Sequence, residues 1–124
     1  MGIATKPMTL KRIQELLSAN CVTADPPLEL EALVGCASDL MSNVLAFGRP
    51  HAILLTGLTS PQTVRTAEIA DCVAICFAYG KQPPAVTVEL AEGSGIPLFV
   101  TPFTLYVASG KLYELGLPGC PEAT

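Results

Sequence analysis

The sequence predicts a single α/β domain, a layered sandwich in which a mixed, partly parallel sheet of about five strands is flanked by helices. Three observations predict it. The runs AILLT (52–56) and VAICFA (73–78) are apolar throughout, as expected of strands covered on both sheet faces. They alternate with stretches whose apolar residues recur at three- and four-residue spacing, the period of a half-buried helix. The chain of 124 residues has room for one such domain and not for two.

Thr9 is placed to cap a first helix, with Leu10, Ile13, Leu16 and Leu17 on one face and Lys11, Arg12 and Glu15 on the other, ending near Asn20. CVTA (21–24) and ALVGCA (32–37) read as short strands, kept apart by Asp25-Pro26-Pro27, which can continue neither a ladder nor a helix. A second helix is predicted from Ser38, with Leu40, Met41, Val44, Leu45 and Phe47 sharing a face until Gly48-Arg49-Pro50 stops it. AILLT follows as a buried strand. Pro61, a favoured first helical residue, then opens a helix running to about Asp71.

After the strand VAICFA, the segment AVTVELAEG (85–93) satisfies both periods, since Val86, Val88 and Leu90 alternate while Val86 and Leu90 also stack at helical spacing. Topology assigns it to a helix, because successive parallel strands need a crossover and only this stretch can supply it. PLFVT (97–101) is the last strand. Thr101-Pro102 is expected to open a terminal helix with Phe103, Tyr106, Val107, Gly110 and Tyr113 on its apolar face, ended by Gly116 and Pro118. The domain is expected to occupy residues 1–117, with 118–124 as a flexible tail.

Composition removes several function classes. The formal charge is −4 and the seven basic residues are scattered, so no positive stripe exists to neutralise a nucleic-acid backbone. No apolar run approaches the ~18 residues that span a bilayer, and the opening MGIATKPMTL lacks the apolar core of a signal peptide. Met1-Gly2 resembles an acylation signal, but Lys6 stands where that signal needs Ser or Thr. A cytoplasmic protein without membrane or nucleic-acid partners is the expectation. Half of the residues are apolar and only 15% are charged, an excess for so short a chain that points to a subunit interface and hence to a homodimer.

Candidate site residues come from three junctions where a strand ends, a Ser or Thr follows and a helix begins. These are Ala37-Ser38-Asp39, Thr59-Ser60-Pro61 and Thr101-Pro102. In a parallel sheet they gather at the carboxyl ends of the strands, where helix amides point outward and anions bind. The candidate ligand set is Ser38, Asp39, Thr56, Gly57, Thr59, Ser60, Arg65 and Thr101, and the ligand would be an anionic small molecule. Plain N-capping, worth about 1 kcal/mol per cap, accounts for the same hydroxyls. Asp39 already brings a carboxylate to one first turn. Arg65 could reach back over Thr59 and Ser60 or pair with Glu68 at i, i+3.

No catalytic residue, metal ligand or cofactor is assigned. Cys21, Cys36, Cys72, Cys76 and Cys120 form an odd, irregular set that reads as small buried hydrophobes rather than a disulfide framework. Cys72 and Cys76 in an extended segment stand ~13 Å apart, too far to share one metal ion. Only a helical 72–76 would bring both thiols to an iron–sulfur or other metal site. His51 is the single histidine and reads as a surface residue. Neither a G-x-S-x-G elbow nor a phosphate-binding loop is present, since Ser109-Gly110-Lys111 lacks the flanking residues of the latter.

The segments GCASDLMSNVLAFGRP (35–50), ILLTGLTSPQTVRTAEIADCVAICFAYGKQPP (53–84) and GIPLFVTPFTLYVASGKLYELGL (95–117) resemble the DRTGG domain family, and within it the small stand-alone members encoded near iron-only hydrogenases. The namesake Asp-Arg-Thr-Gly-Gly is replaced by Thr56-Gly57-Leu58-Thr59-Ser60, so no role of that acid and arginine carries over. The resemblance implies a fold like the N-terminal domains of HPr kinase and of Mur ligases. It also implies a non-catalytic regulatory or assembly role, with a protein partner in hydrogenase or redox metabolism. A sensor of a phosphorylated or nucleotide ligand and a cysteine-based iron–sulfur protein stand as the alternative functions.

Overall fold

A computed structural model describes residues 6–119. In chain order its elements are β1 (Met8–Thr9), α1 (Leu10–Leu16), β2 (Asn20–Cys21), β3 (Glu31–Ala32), β4 (Val34–Ala37), α2 (Met41–Phe47), β5 (Ala52–Thr56), α3 (Pro61–Ile69), β6 (Ala74–Phe77), α4 (Ala85–Ser94), β7 (Leu98–Val100) and α5 (Leu105–Glu114). The four apolar runs lie side by side. The main sheet has the order β2-β7-β6-β5-β4, with β4 to β7 mutually parallel and β2 antiparallel on β7. This is the mixed five-stranded sheet flanked by helices that the periodicity predicts.

Strand alternation divides the interior into two layers. Ile53, Leu55, Ala74, Cys76 and Phe99 point to one face, where Leu10, Ile13 and Leu17 of the α1 region and Ala108 and Leu112 of α5 cover them. Leu54, Ile75, Phe77, Leu98 and Val100 point to the other, under Met41 and Val44 of α2, Val64 and Ala67 of α3 and Ala91 of α4. All five residues of β5 and all four of β6 are buried, because both faces carry helices. The crossover argument for 85–93 holds: α4 joins β6 to β7, and its C-cap Gly95 takes the left-handed conformation (φ 72°) that ends a helix without a Cβ clash.

Several boundaries differ from the sequence expectation. Thr9 does cap α1, its hydroxyl accepting from the Arg12 amide, but the helix stops at Leu16, and Ser18 turns the chain at φ 50°. Asn20 therefore begins β2 instead of ending α1. ALVGCA breaks at Leu33. Its first residue pairs with an unforeseen strand, β1, in a two-stranded antiparallel ribbon (Met8↔Ala32, Thr9↔Glu31), and only Val34–Ala37 joins the main sheet. α2 begins at Met41, not Ser38, because the Ser38 hydroxyl is spent locally on the Leu40 amide and carbonyl. Of the face expected there, Met41 and Val44 are buried while Leu40, Leu45 and Phe47 are exposed.

The terminal helix shows the largest departure. It begins at Leu105 under the cap Thr104, whose hydroxyl accepts from the Val107 amide. Thr101 is fully buried and its hydroxyl donates to the Leu17 carbonyl at 2.6 Å, tying the end of β7 to α1. The helix rests on the sheet through Ala108 and Leu112, with Leu105 packed beside them, and turns Tyr106, Val107 and Tyr113 outward. Two apolar stripes run along α5, and the one with small Ala108 at its centre allows the closer approach to the sheet. Pro118 and Gly119, expected in the loose tail, lie along β4: the Gly35 amide donates to the Pro118 carbonyl, and Gly35 bridges Gly119 in parallel. Cys120 and the rest of the tail, like Met1-Gly2, lie outside the described residues.

Candidate functional site

The carboxyl ends of β4 to β7 share one rim because the strands are parallel, so the residues that follow them meet there. Asp39, two residues beyond β4, extends its carboxylate to the end of β5. Its Oδ1 accepts from the Thr56 hydroxyl at 2.9 Å and from the Gly57 amide at 2.6 Å. Thr56 is fully buried and its Oγ1 accepts in turn from the Leu58 amide at 3.1 Å. The β5–α3 loop is braced further: the Thr63 hydroxyl donates to the Leu58 carbonyl at 2.6 Å and the buried Thr87 hydroxyl to the Thr59 carbonyl at 2.8 Å.

Of the expected ligand set, the structure joins Asp39, Thr56 and Gly57 directly, with Ser38 adjacent and bonded to β5 through the Leu55 carbonyl. Thr59 and Ser60 are half-exposed in the same loop, and Ser60 precedes α3 without capping it through its side chain. Arg65 is exposed on α3 and, among the described residues, forms no ion pair with Glu68. Thr101 does not belong to the rim surface, since its hydroxyl is held inside the fold.

Two residues outside the expected set join the rim. Tyr79 sits at φ 63°, an uncommon conformation for a side chain of its size, and is followed by Gly80 at φ 65°. The amides of both bond to the β7 side, Tyr79 to the Phe103 carbonyl and Gly80 to the Thr101 carbonyl, each at 2.8 Å. The Tyr79 ring lies over Gly57, where a Cβ would meet ring carbons at 3.2 and 3.3 Å, and Lys81 Nζ stands 5.6 Å from the ring centroid. The Tyr79-Gly80 dipeptide before Pro83-Pro84 signals a turn in the sequence, but nothing there marks the tyrosine as the left-handed residue.

The chemistry of this rim is that of a closed network. Where an incoming anion would find the Gly57 amide, the chain has placed its own carboxylate. The topology adds a second reason. Strand order runs 4-5-6-7 without reversal and α2, α3 and α4 all lie on one face, so no crevice opens between diverging helices as in a doubly wound sheet.

Cys72 and Cys76 do not converge. Residues 74–77 are extended, with Cys76 in the layer under α1 and α5 and Cys72 in the opposite layer. Burial pushes the Cys76 thiol up to about 12, outweighing a hydrogen bond with the Thr101 backbone that acts in the other direction. This thiol is held protonated and unreactive. His51 is exposed, at φ 64°.

Two concavities open on the surface of the described residues. One, of about 450 Å³, lies between β4 and α5 and is lined by Gly35, Ala37, Tyr106, Gly110, Tyr113 and Leu117 among others, with no charged side chain among the described residues. The other, of about 470 Å³, lies at the amino end of the sheet beside Asp25 and Glu92, its only charges, and is no place for an anion. The Glu92 carboxylate there accepts from the Ala24 amide at 2.9 Å.

The fold defines a class, the three-layer α/β sandwich in which sequential parallel strands are crossed over on a single face. A solved structure of that class makes the likeness particular. The chain superimposes on the CBS and DRTGG domains of the regulatory region of Clostridium perfringens pyrophosphatase, crystallised with its activator diadenosine tetraphosphate, with a TM-score of 0.67 and 19% identity over 89% of this chain. This supports a DRTGG-related fold. The chain spans 47% of the length of that neighbour. Neither a protein-family model nor a curated protein matches the sequence. Among the described residues no helix is long and apolar enough to cross a membrane.

Proposed function

We propose that this chain is a non-catalytic, DRTGG-type regulatory or assembly module of the cytoplasm, acting through contacts with a second copy of itself and with a protein partner. The observation that carries this reading is the contrast between the two ends of its surface chemistry. At the rim the Thr56 hydroxyl donates to the Asp39 carboxylate and the Ser38 hydroxyl to the Leu40 carbonyl, so neither is poised as a nucleophile, whereas α5 holds Tyr106 at 88% and Tyr113 at 62% exposure. Large exposed aromatics flanking an uncharged groove are the mark of a contact surface. Proteins of hydrogenase or redox metabolism are the first partners to test, given the sequence resemblance.

The test is affinity capture under reducing conditions with the wild-type chain and a Tyr106→Glu chain side by side, together with sedimentation of both. Partners held by the first and lost by the second support the reading. Identical capture by both, with a strictly monomeric wild type, retires it.

A sensor of nucleotide or other phosphorylated ligands is the second reading, favoured by the diadenosine tetraphosphate bound to the structural neighbour. Here Arg65, with Thr59 and Ser60, would take the phosphates. A rise in melting temperature with nucleotides or acyl phosphates, lost in Arg65→Ala, is the expected signature. Silence across both ligand classes removes this reading and leaves the first intact.

A further inference from the structure

We draw no further inference here: the strongest candidate, the groove of about 450 Å³ between β4 and α5 with Tyr106 and Tyr113 exposed along it, carries nothing beyond the contact-module reading, because nothing in the structure shows what covers it.

Discussion

At the carboxyl rim, one carboxylate, one buried hydroxyl and one amide satisfy each other within 3 Å. Along α5, two tyrosines and a glycine have no such partners among the described residues and are exposed. Both regions carry residues that catch the eye in a sequence, the first for its hydroxyls before helices, the second for its aromatic spacing. The difference teaches which kind of signal speaks of folding and which of contact. Polar residues at a strand-to-helix junction already have work to do, because the amides and carbonyls of the turn need partners. The tyrosines of α5 stand outside the core, and it is the contact-module reading that gives them a partner.

The comparison breaks if altering the rim leaves the fold unharmed. The largest effect is expected from Thr56→Val, which keeps the shape of a fully buried residue but removes the donor to Asp39 and the acceptor of the Leu58 amide. A loss of about 1–3 kcal/mol in urea unfolding is expected, the cost of stranding hydrogen-bonding groups at a covered site. An unchanged stability would mean the network is ornamental and the rim free for another use.

Next in size is the alkaline response set by Cys76. Its folded thiol titrates near 12 against an ordinary 9.0, so below pH 9 both states are protonated and its contribution is whole. Above pH 9 the unfolded chain loses a proton that the folded chain keeps, and stability falls as pH rises from 9 toward 12. A melting curve taken at pH 8 and pH 10.5 should show a drop that is smaller in Cys76→Ala. In the native state Cys76 should also react with a thiol reagent far more slowly than half-exposed Cys21.

Asp39→Asn ranks third, at about 1 kcal/mol, because the amide oxygen can still accept from Gly57 and Thr56 but without the charge that shortens and strengthens those bonds. Urea unfolding beside Thr56→Val separates the charge from the hydrogen bonds themselves.

How far the sequence reaches follows the same division. AILLT and VAICFA announce themselves because a strand covered on both faces has no room for polar residues, and 85–93 is assigned correctly because connectivity overrules an ambiguous period. The β1–β3 ribbon is illegible, since two-residue strands leave no periodic trace. α5 is found but turned the wrong way. The stripe through Tyr106 and Tyr113 is the more hydrophobic to the eye, yet the stripe through Leu105, Ala108 and Leu112 fits the sheet, and periodicity alone cannot choose between them. At the rim, the grouping of Asp39, Thr56 and Gly57 follows from parallel strands, but not that Asp39 would occupy the position foreseen for a ligand. Nor could spacing reveal that Thr101 turns inward to Leu17.

The smallest effect is the sharpest test, because it has opposite signs in the two measurements. Gly110→Ala adds a methyl group that touches nothing in the isolated chain and removes freedom from the unfolded one, so the fold should gain about 0.5–1 kcal/mol. Where α5 packs closely on a second copy, as the contact-module reading has it, the same methyl pushes two backbones apart, and self-association should weaken. Gly93→Ala serves as the reference, since Gly93 is a second helical glycine with open space around its Cβ, placed on α4 away from the groove. Its substitution should stabilise the fold without touching association. If the two alanines behave alike in both unfolding and sedimentation, the glycine at 110 is an accident of sequence and the contrast between a closed rim and an open face loses its meaning.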